Sequence, residues 1–388
     1  MKLTFYSNFF NHHQRFLSEA FYQLLGDDYT FVATTPVPTN RLKLGYQDLN
    51  KSFPYVLTTY DNARNAKQAR NLAKESDVII IGSAPKEYCD LRIGTKKLMF
   101  RYAERPLKKG FEVWKYPYRF VKWHLQNPYG VPIYMLCASA YTAGDYAKFG
   151  LFRNRTYKWG YFPEVKRYGD IDALIAKKKP ASILWAGRLI GWKHPEASIL
   201  VAEKLRQAGY NFELNIIGNG EMEQQLRDLI QSKGLGQQVH MLGSMPPEQV
   251  REHMEESEIF LFTSDRNEGW GAVLNESMNS GCAVVASHEI GSVPYLIQNM
   301  ENGLTYNDGN LDLLYAKVCW LLDNTNKRKH LGKAAYETLT TQWNAENAAE
   351  RFIRLAQTVL NGEDGNESFS EGICSPAEPK IVSSFEYI

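Results

Sequence analysis

No stretch of the 388-residue sequence approaches the roughly eighteen consecutive apolar residues of a membrane-spanning helix. The start, MKLTFYSNFFNHH, turns polar after Tyr6, too early for a signal peptide. Any meeting with a membrane is therefore expected from the side. Cysteine is scarce: Cys89, Cys137, Cys282, Cys319 and Cys374 are odd in number, far apart and never in a CxxC arrangement. Neither a disulfide framework nor a zinc site is signalled, and a cytoplasmic, reducing setting fits. Net charge is nearly absent, with 45 Lys and Arg against 43 Asp and Glu, which argues against a general nucleic-acid binder while leaving room for local patches. Composition is also without strong bias, at 44% hydrophobic and 23% charged residues, which excludes a wholly disordered, collagenous or coiled-coil chain. What is present is length enough for two domains or three, each with a substantial core.

Short β-like runs alternate with helix-length amphipathic segments, the pattern of parallel sheets covered by helices. Strands are expected at 2–6, 29–34, 55–60, 77–82, 97–102 and 132–139, and Asn11 can cap a first helix that ends at Gly26. The alternation pauses over the charged stretch 164–180 and restarts with strands at 182–187, 212–218, 239–243, 258–264 and 282–287. This predicts an α/β protein of two doubly wound, Rossmann-like domains facing each other across a cleft. The first is expected over 1–170 and the second over 178–345. Residues 346–362 read as a C-terminal helix, for which a return to the first domain is open, and the acidic, apolar-poor stretch 363–388 reads as a mobile tail.

The most informative segment is RNEGWGAVLNESMNSGCAVVA, Arg266 to Ala286. It follows a strand and carries Glu268, then Gly269-Trp270-Gly271, then Ala272 and a helix bearing Glu276. Small residues before a helix let backbone N–H groups and the positive helix end approach an anion. Glu276 can accept hydrogen bonds from vicinal hydroxyls, and Glu268 can do so for a sugar. In WAGRLIGWKHPE, residues 185–196, a strand ends at Gly187, Arg188 follows it, and Lys193 precedes a helix that Pro195 can start. Two cations at the carboxyl edge of a sheet suit a diphosphate, arginine bidentately and lysine as a compact charge. In IIGNGEMEQQL, Gly218-Asn219-Gly220 joins a strand to a helix, but Glu223 stands where dinucleotide binding wants a third glycine. Taken singly, each feature has a bland alternative in turn geometry or solvated surface charge.

The order of these elements, AGRL, then Lys193, IGNGE, Leu242-Gly243, and Glu268 with Glu276 as E-x7-E, resembles the retaining glycosyltransferases of family 4 (glycosyl transferases group 1), which have the GT-B fold. The resemblance covers about residues 180–300 through these motifs and the rest by layout. It implies a UDP- or GDP-sugar donor held by the second domain. Arg188 and Lys193 would contact the diphosphate and Glu276 the ribose. Glu268, with the backbone of Gly269 to Gly271 and Ala272 beside it, would meet the donor sugar, and Gly243 the base, with Gly187 and Gly218 completing the donor-binding set. It implies a saccharide or lipid-linked acceptor, no cofactor and no essential metal, since no Asp-x-Asp stands at a strand end. One departure is the Ser7–His13 stretch, where many relatives have a glycine-rich loop. Asn11, His12, His13 and Glu104 are the candidate acceptor contacts.

Residues 92–124 combine Arg92, Lys96, Lys97, Arg101, Arg105, Lys108, Lys109, Lys115, Arg119 and Lys122 with Trp114, Tyr116, Tyr118, Phe120 and Trp123. Such a mixture suits an anionic bilayer surface, at the inner face of the cytoplasmic membrane, as much as a solvated helix over ordinary core aromatics. The expected activity is sugar transfer in surface polysaccharide or glycolipid synthesis. A nucleotide-sugar epimerase or phosphorylase on the same fold, and a catalytically inactive nucleotide-sugar binding protein, are the rivals.

Overall fold

The computed structural model describes residues 1–39 and 47–380. Contacts divide the chain into two compact units, one built from Met1–Pro163 with Asn344 onward, the other from Glu164–Trp343.

The first unit holds a seven-stranded parallel sheet in the order β3-β2-β1-β4-β5-β6-β7. Its strands are β1 (Leu3–Ser7), β2 (Tyr29–Ala33), β3 (Val56–Thr58), β4 (Val78–Ile81), β5 (Met99–Ala103), β6 (Ile133–Cys137) and β7 (Thr156–Lys158). β4 is Val-Ile-Ile-Ile, buried throughout, as a strand covered by helices on both faces must be. The helix His12–Leu25 begins where Asn11 accepts the His13 N–H at 2.9 Å. The final helix, Ala345–Leu360, packs in this unit: the Phe352 ring lies 5.6 Å from Phe21 and 5.0 Å from Phe100, beneath Trp159.

The expectation of a mobile tail fails for residues 363–380. Ile373, Cys374 and Ala377 are buried. The Lys158 N–H donates to Ser375 O and the Cys374 N–H to Lys158 O, both at 2.8 Å, while the Ala377 N–H donates to Thr156 O at 2.9 Å. The polar composition of 363–372 conceals a short segment that gives the edge strand β7 its outer partner. The remaining residues, 381–388, lie outside the described part.

The second unit holds a six-stranded parallel sheet in the order β10-β9-β8-β11-β12-β13. Its strands are β8 (Lys179–Ala186), β9 (Glu213–Ile217), β10 (Val239–Gly243), β11 (Ser257–Phe262), β12 (Ala283–Ser287) and β13 (Leu304–Tyr306). The charged stretch read as a linker belongs to this unit. Asn279 exchanges hydrogen bonds with the Lys166 backbone at 2.8 and 3.0 Å, and Tyr168 Oη donates to Glu255 at 2.6 Å. Lys166, Asp172 and Lys179 of the stretch form ion pairs with Glu255, Lys333 and Glu256 of the same unit. Chain order around the sheet reverses between β8 and β11, and in the first unit between β1 and β4. In open parallel sheets, ligands bind outside the carboxyl ends of the strands at such a reversal.

Candidate functional site

At the reversal in the second unit, the loops after β8 and β11 are pinned together. The Asp265 N–H donates to Trp192 O at 3.0 Å. The Thr263 hydroxyl accepts from Trp185 Nε1 at 2.8 Å and lies 2.8 and 2.9 Å from the carbonyls of Lys193 and His194. On this frame Lys193 Nζ makes a short ion pair with Glu268 Oε2, the two side chains being 13% and 11% exposed. Ser264 Oγ donates to the same carboxylate oxygen at 3.1 Å. Arg188 stands exposed beside them, with Trp192 between the cations: its ring centroid is 5.8 Å from the Arg188 guanidinium and 4.8 Å from Lys193 Nζ. The pairing of Lys193 with Glu268 is therefore a contact that the sequence motifs place in one mouth but do not disclose.

The glycines in this mouth serve close packing. A β-carbon on Gly218 would overlap the Gly187 carbonyl, and one on Gly271, at φ +80°, would overlap the Phe262 ring. The Gly187 N–H donates to Ile217 O at 3.0 Å and the Gly218 N–H to Gly243 O at 2.8 Å. These two N–H groups are thus spent on tying neighbouring strand ends together, and what Gly187 and Gly218 offer a ligand is room. The N–H groups of Gly271 and Ala272 make no hydrogen bond among the described residues. Trp270 is fully buried, with its Nε1 donating to Asn275 Oδ1 at 2.9 Å and its ring 6.1 Å from Trp343. The buried indole has no face to offer a ligand, so only the main chain of Trp270 is open to the backbone contact expected for Gly269 to Gly271. Gly269 is buried, whereas Gly243 is half-buried at the end of β10.

Glu276 lies in the short helix Val273–Asn279, in front of β11. Burial pushes its carboxyl above the usual carboxylate range, opposed by the nearby Arg251. Arg251 Nη1 donates to Glu276 O at 3.1 Å and to Asn279 Oδ1 at 2.9 Å. The Glu276 carboxylate itself makes no hydrogen bond or ion pair among the described residues, so its acceptors remain available. Ser264 and Asp265, on the stretch between β11 and Glu268, contact Glu268 and the Lys193 loop, roles that sequence reading missed.

In the first unit the acceptor candidates partly converge. The His12 and His13 rings are 3.8 Å apart, and His13 stacks on Tyr161 at 5.7 Å. Tyr161 Oη donates to Glu104 Oε1 at 2.6 Å, and Lys108 Nζ lies 3.3 Å from the other oxygen of that carboxylate. Asn11 is occupied as the helix cap. Tyr161 is a member of this group that sequence reading missed.

The basic stretch 92–124 is less cationic than its composition. Arg92 is fully buried and donates to four main-chain carbonyls, among them Ser76 O at 2.7 Å. Arg105 pairs with buried Asp145, and Lys115 and Arg119 both pair with Glu112. The helix Tyr116–Gln126 holds Tyr116 and Trp123 against Phe149, with ring centroids 4.9 and 4.5 Å away. Its opposite side is an uncovered apolar stripe at helical spacing, Trp114 (75% exposed), Tyr118 (66%), Val121 (58%) and Leu125 (75%). No helix among the described residues is long and apolar enough to cross a membrane.

Residues 170–338 match the family described as Glycosyl transferases group 1. The amylovoran biosynthesis glycosyltransferase AmsK of Erwinia amylovora is 33% identical over 207 residues, covering 52% of this chain and 50% of that protein. A GDP-mannose-dependent alpha-(1-6)-phosphatidylinositol monomannoside mannosyltransferase of Mycobacterium tuberculosis is 23% identical over 189 residues, 47% of this chain and 48% of its own length. The chain thus spans about half the length of the curated relatives it matches. Among solved structures, Anabaena Alr3699/HepE in complex with UDP superposes with a TM-score of 0.68 at 15% identity, covering 92% of this chain and all of that one. That likeness, with the two parallel sheets, gives the class of the molecule as a GT-B, two-domain Rossmann-like fold.

Proposed function

We propose that the protein transfers a sugar from a nucleotide-diphosphate sugar to a hydroxyl of a saccharide or lipid-linked acceptor, with retention of anomeric configuration. One observation carries the reading: where the second sheet reverses order, the loops after β8 and β11 bring Lys193 and Glu268 into an ion pair with Trp192 and Arg188 beside it, and the helix that bears Glu276 follows the second of these loops.

The leaving diphosphate gains charge as the glycosidic bond breaks. Arg188, as a bidentate donor, and Lys193, as a point charge, stabilise it there. An entering diphosphate competes with Glu268 for Lys193. The carboxylate this releases accepts hydrogen bonds from the donor sugar's hydroxyls, with the Gly271 and Ala272 N–H groups beside it. Glu276 accepts from the ribose. On the same face, the donor's own phosphate takes the acceptor proton, so no protein base is required. His12, His13 and Glu104, with Tyr161, bind the acceptor. Homologues named for polysaccharide and phosphoinositide glycosylation support this setting, and the exposed stripe Trp114–Leu125 suits an acceptor met at an anionic bilayer.

Incubation with UDP- and GDP-hexoses and a panel of saccharide and lipid-linked acceptors tests the reading. Acceptor-dependent release of nucleoside diphosphate with an α-linked product from an α-linked donor is expected. Release of an epimerised free sugar from donor alone would move the assignment to an epimerase.

A further inference from the structure

His194 occupies a backbone conformation that side chains avoid. At φ 49° and ψ 50° it sits in the left-handed region, between Lys193 and Pro195, the first residue of the helix Pro195–Gln207. Glycine is the residue of choice there, and among the others only Asn, Asp and His tolerate it with any frequency. Packing does not ask for an imidazole, because the side chain is 39% exposed. What the ring does is electrostatic. Nδ1 lies 2.8 Å from Glu196 Oε1 and Nε2 lies 3.6 Å from Asp265 Oδ2.

Three carboxylates face this ring from three elements: Glu196 on its own helix, Asp265 after β11, and Asp308 after β13, with His288 behind Asp308. The hydrogen bond to Glu196, joined by the fields of Asp265 and Asp308, holds His194 above the usual imidazole range despite burial. Burial in turn raises Asp308, and His194 opposes that shift. Only the imidazolium can donate from both nitrogens at once, one toward each flanking carboxylate. A neutral ring must give up one of the two, whichever tautomer it takes.

We propose that His194 is a positioning residue of the donor site: its imidazolium ties the Lys193 loop to the Asp265–Glu268 loop, and nucleoside diphosphate affinity falls as that proton is lost. The inference rests on the nucleotide-sugar reading above. The sign follows from the raised folded value. The tie is complete below the ordinary imidazole range and disappears as pH climbs through the higher value in the fold.

Calorimetric titration of UDP and GDP into the full chain from pH 6 to 9 tests it, using wild type, His194→Gly and His194→Asn. Both variants suit the left-handed backbone, so their thermal midpoints should equal or exceed that of wild type at pH 9, where the imidazolium tie is already lost, and fall short of it only as pH drops. Wild type should bind one nucleotide more weakly as pH rises, whereas both variants should bind about tenfold more weakly at low pH and show a flat profile, a change on the scale of ordinary site-to-site coupling. Variants that retain wild-type affinity and pH profile would overturn the His194 role while leaving the donor reading intact. If wild type binds neither nucleotide, the donor reading fails and the His194 role fails with it.

Discussion

Arg188 and Lys193 carry like charge but stand in different surroundings, so their removal has different consequences. Arg188 is exposed with its guanidinium over the Trp192 ring and makes no ion pair among the described residues, so Arg188→Ala should leave the thermal midpoint unchanged while transfer falls about 10²–10³-fold, the scale of losing one transition-state donor. Lys193→Ala also strands the Glu268 carboxylate with Ser264 alone. It should lower both transfer and the thermal midpoint, and Lys193→Ala/Glu268→Gln should regain stability without activity. Glu276 gives a pH test. Its folded carboxyl titrates above the unfolded one, so the folded state keeps the proton longer, and this group's contribution to stability falls as pH rises through the usual carboxylate range. Glu276→Gln should flatten that loss in thermal scans and weaken nucleotide binding at neutral pH, where the ribose loses an ionised acceptor. The nearness of Lys193 and Glu268 was legible because each follows closely on a strand, β8 or β11, and these strands are neighbours where the sheet reverses. The contacts of Arg251 with Asn279 and of Tyr161 with Glu104 were not, since each joins segments distant in sequence.

Among the elements, the glycine-bearing loops are where sequence and structure differ in meaning. IGNGE reads as a GxG turn that stops short of a dinucleotide fingerprint, and Gly218 is glycine because the Gly187 carbonyl occupies the space of its β-carbon. Gly218→Ala should therefore lower the thermal midpoint as well as activity, the signature of overpacking costing about 1–3 kcal/mol. The long apolar strands were legible from their runs. β7 and β13 were missed because Thr156–Lys158 and Leu304–Tyr306 are three residues each, preceded by polar or glycine neighbours, whereas β3, equally short and also at an edge, lies in the longer run YVLTTY. Residues 373–377 were read as part of a tail for the same reason, and truncation after Gly362 should expose the β7 edge and promote aggregation. For the proposed membrane contact, the exposed apolar residues of the helix Tyr116–Gln126 shift the emphasis from charge to apolar insertion. Cosedimentation with anionic liposomes should drop sharply for Trp114→Ser/Leu125→Ser and less for Lys115→Gln/Arg119→Gln, whose two cations share the Glu112 carboxylate and so present about one net charge. Equal loss in the two pairs would restore the electrostatic account.

Across the molecule, two parallel sheets of similar plan divide the labour by the residues at their strand ends. The first unit presents histidine, tyrosine and a carboxylate, groups that hydrogen-bond hydroxyls. The second presents two cations and two carboxylates, suited to a diphosphate flanked by sugars. With a formal net charge of only +2, the chain has no overall field to gather anions, so the proposed function rests on capture of a diphosphate by this local arrangement. The most direct measurement is therefore equilibrium binding of UDP and GDP to the full chain, compared with Arg188→Ala/Glu276→Gln. The account predicts saturable, equimolar binding of one nucleoside diphosphate by wild type and its loss in the double variant, whose fold remains intact by circular dichroism. Binding of equal strength to both proteins would contradict it, because the nucleotide would then be held somewhere other than the mouth formed after β8 and β11.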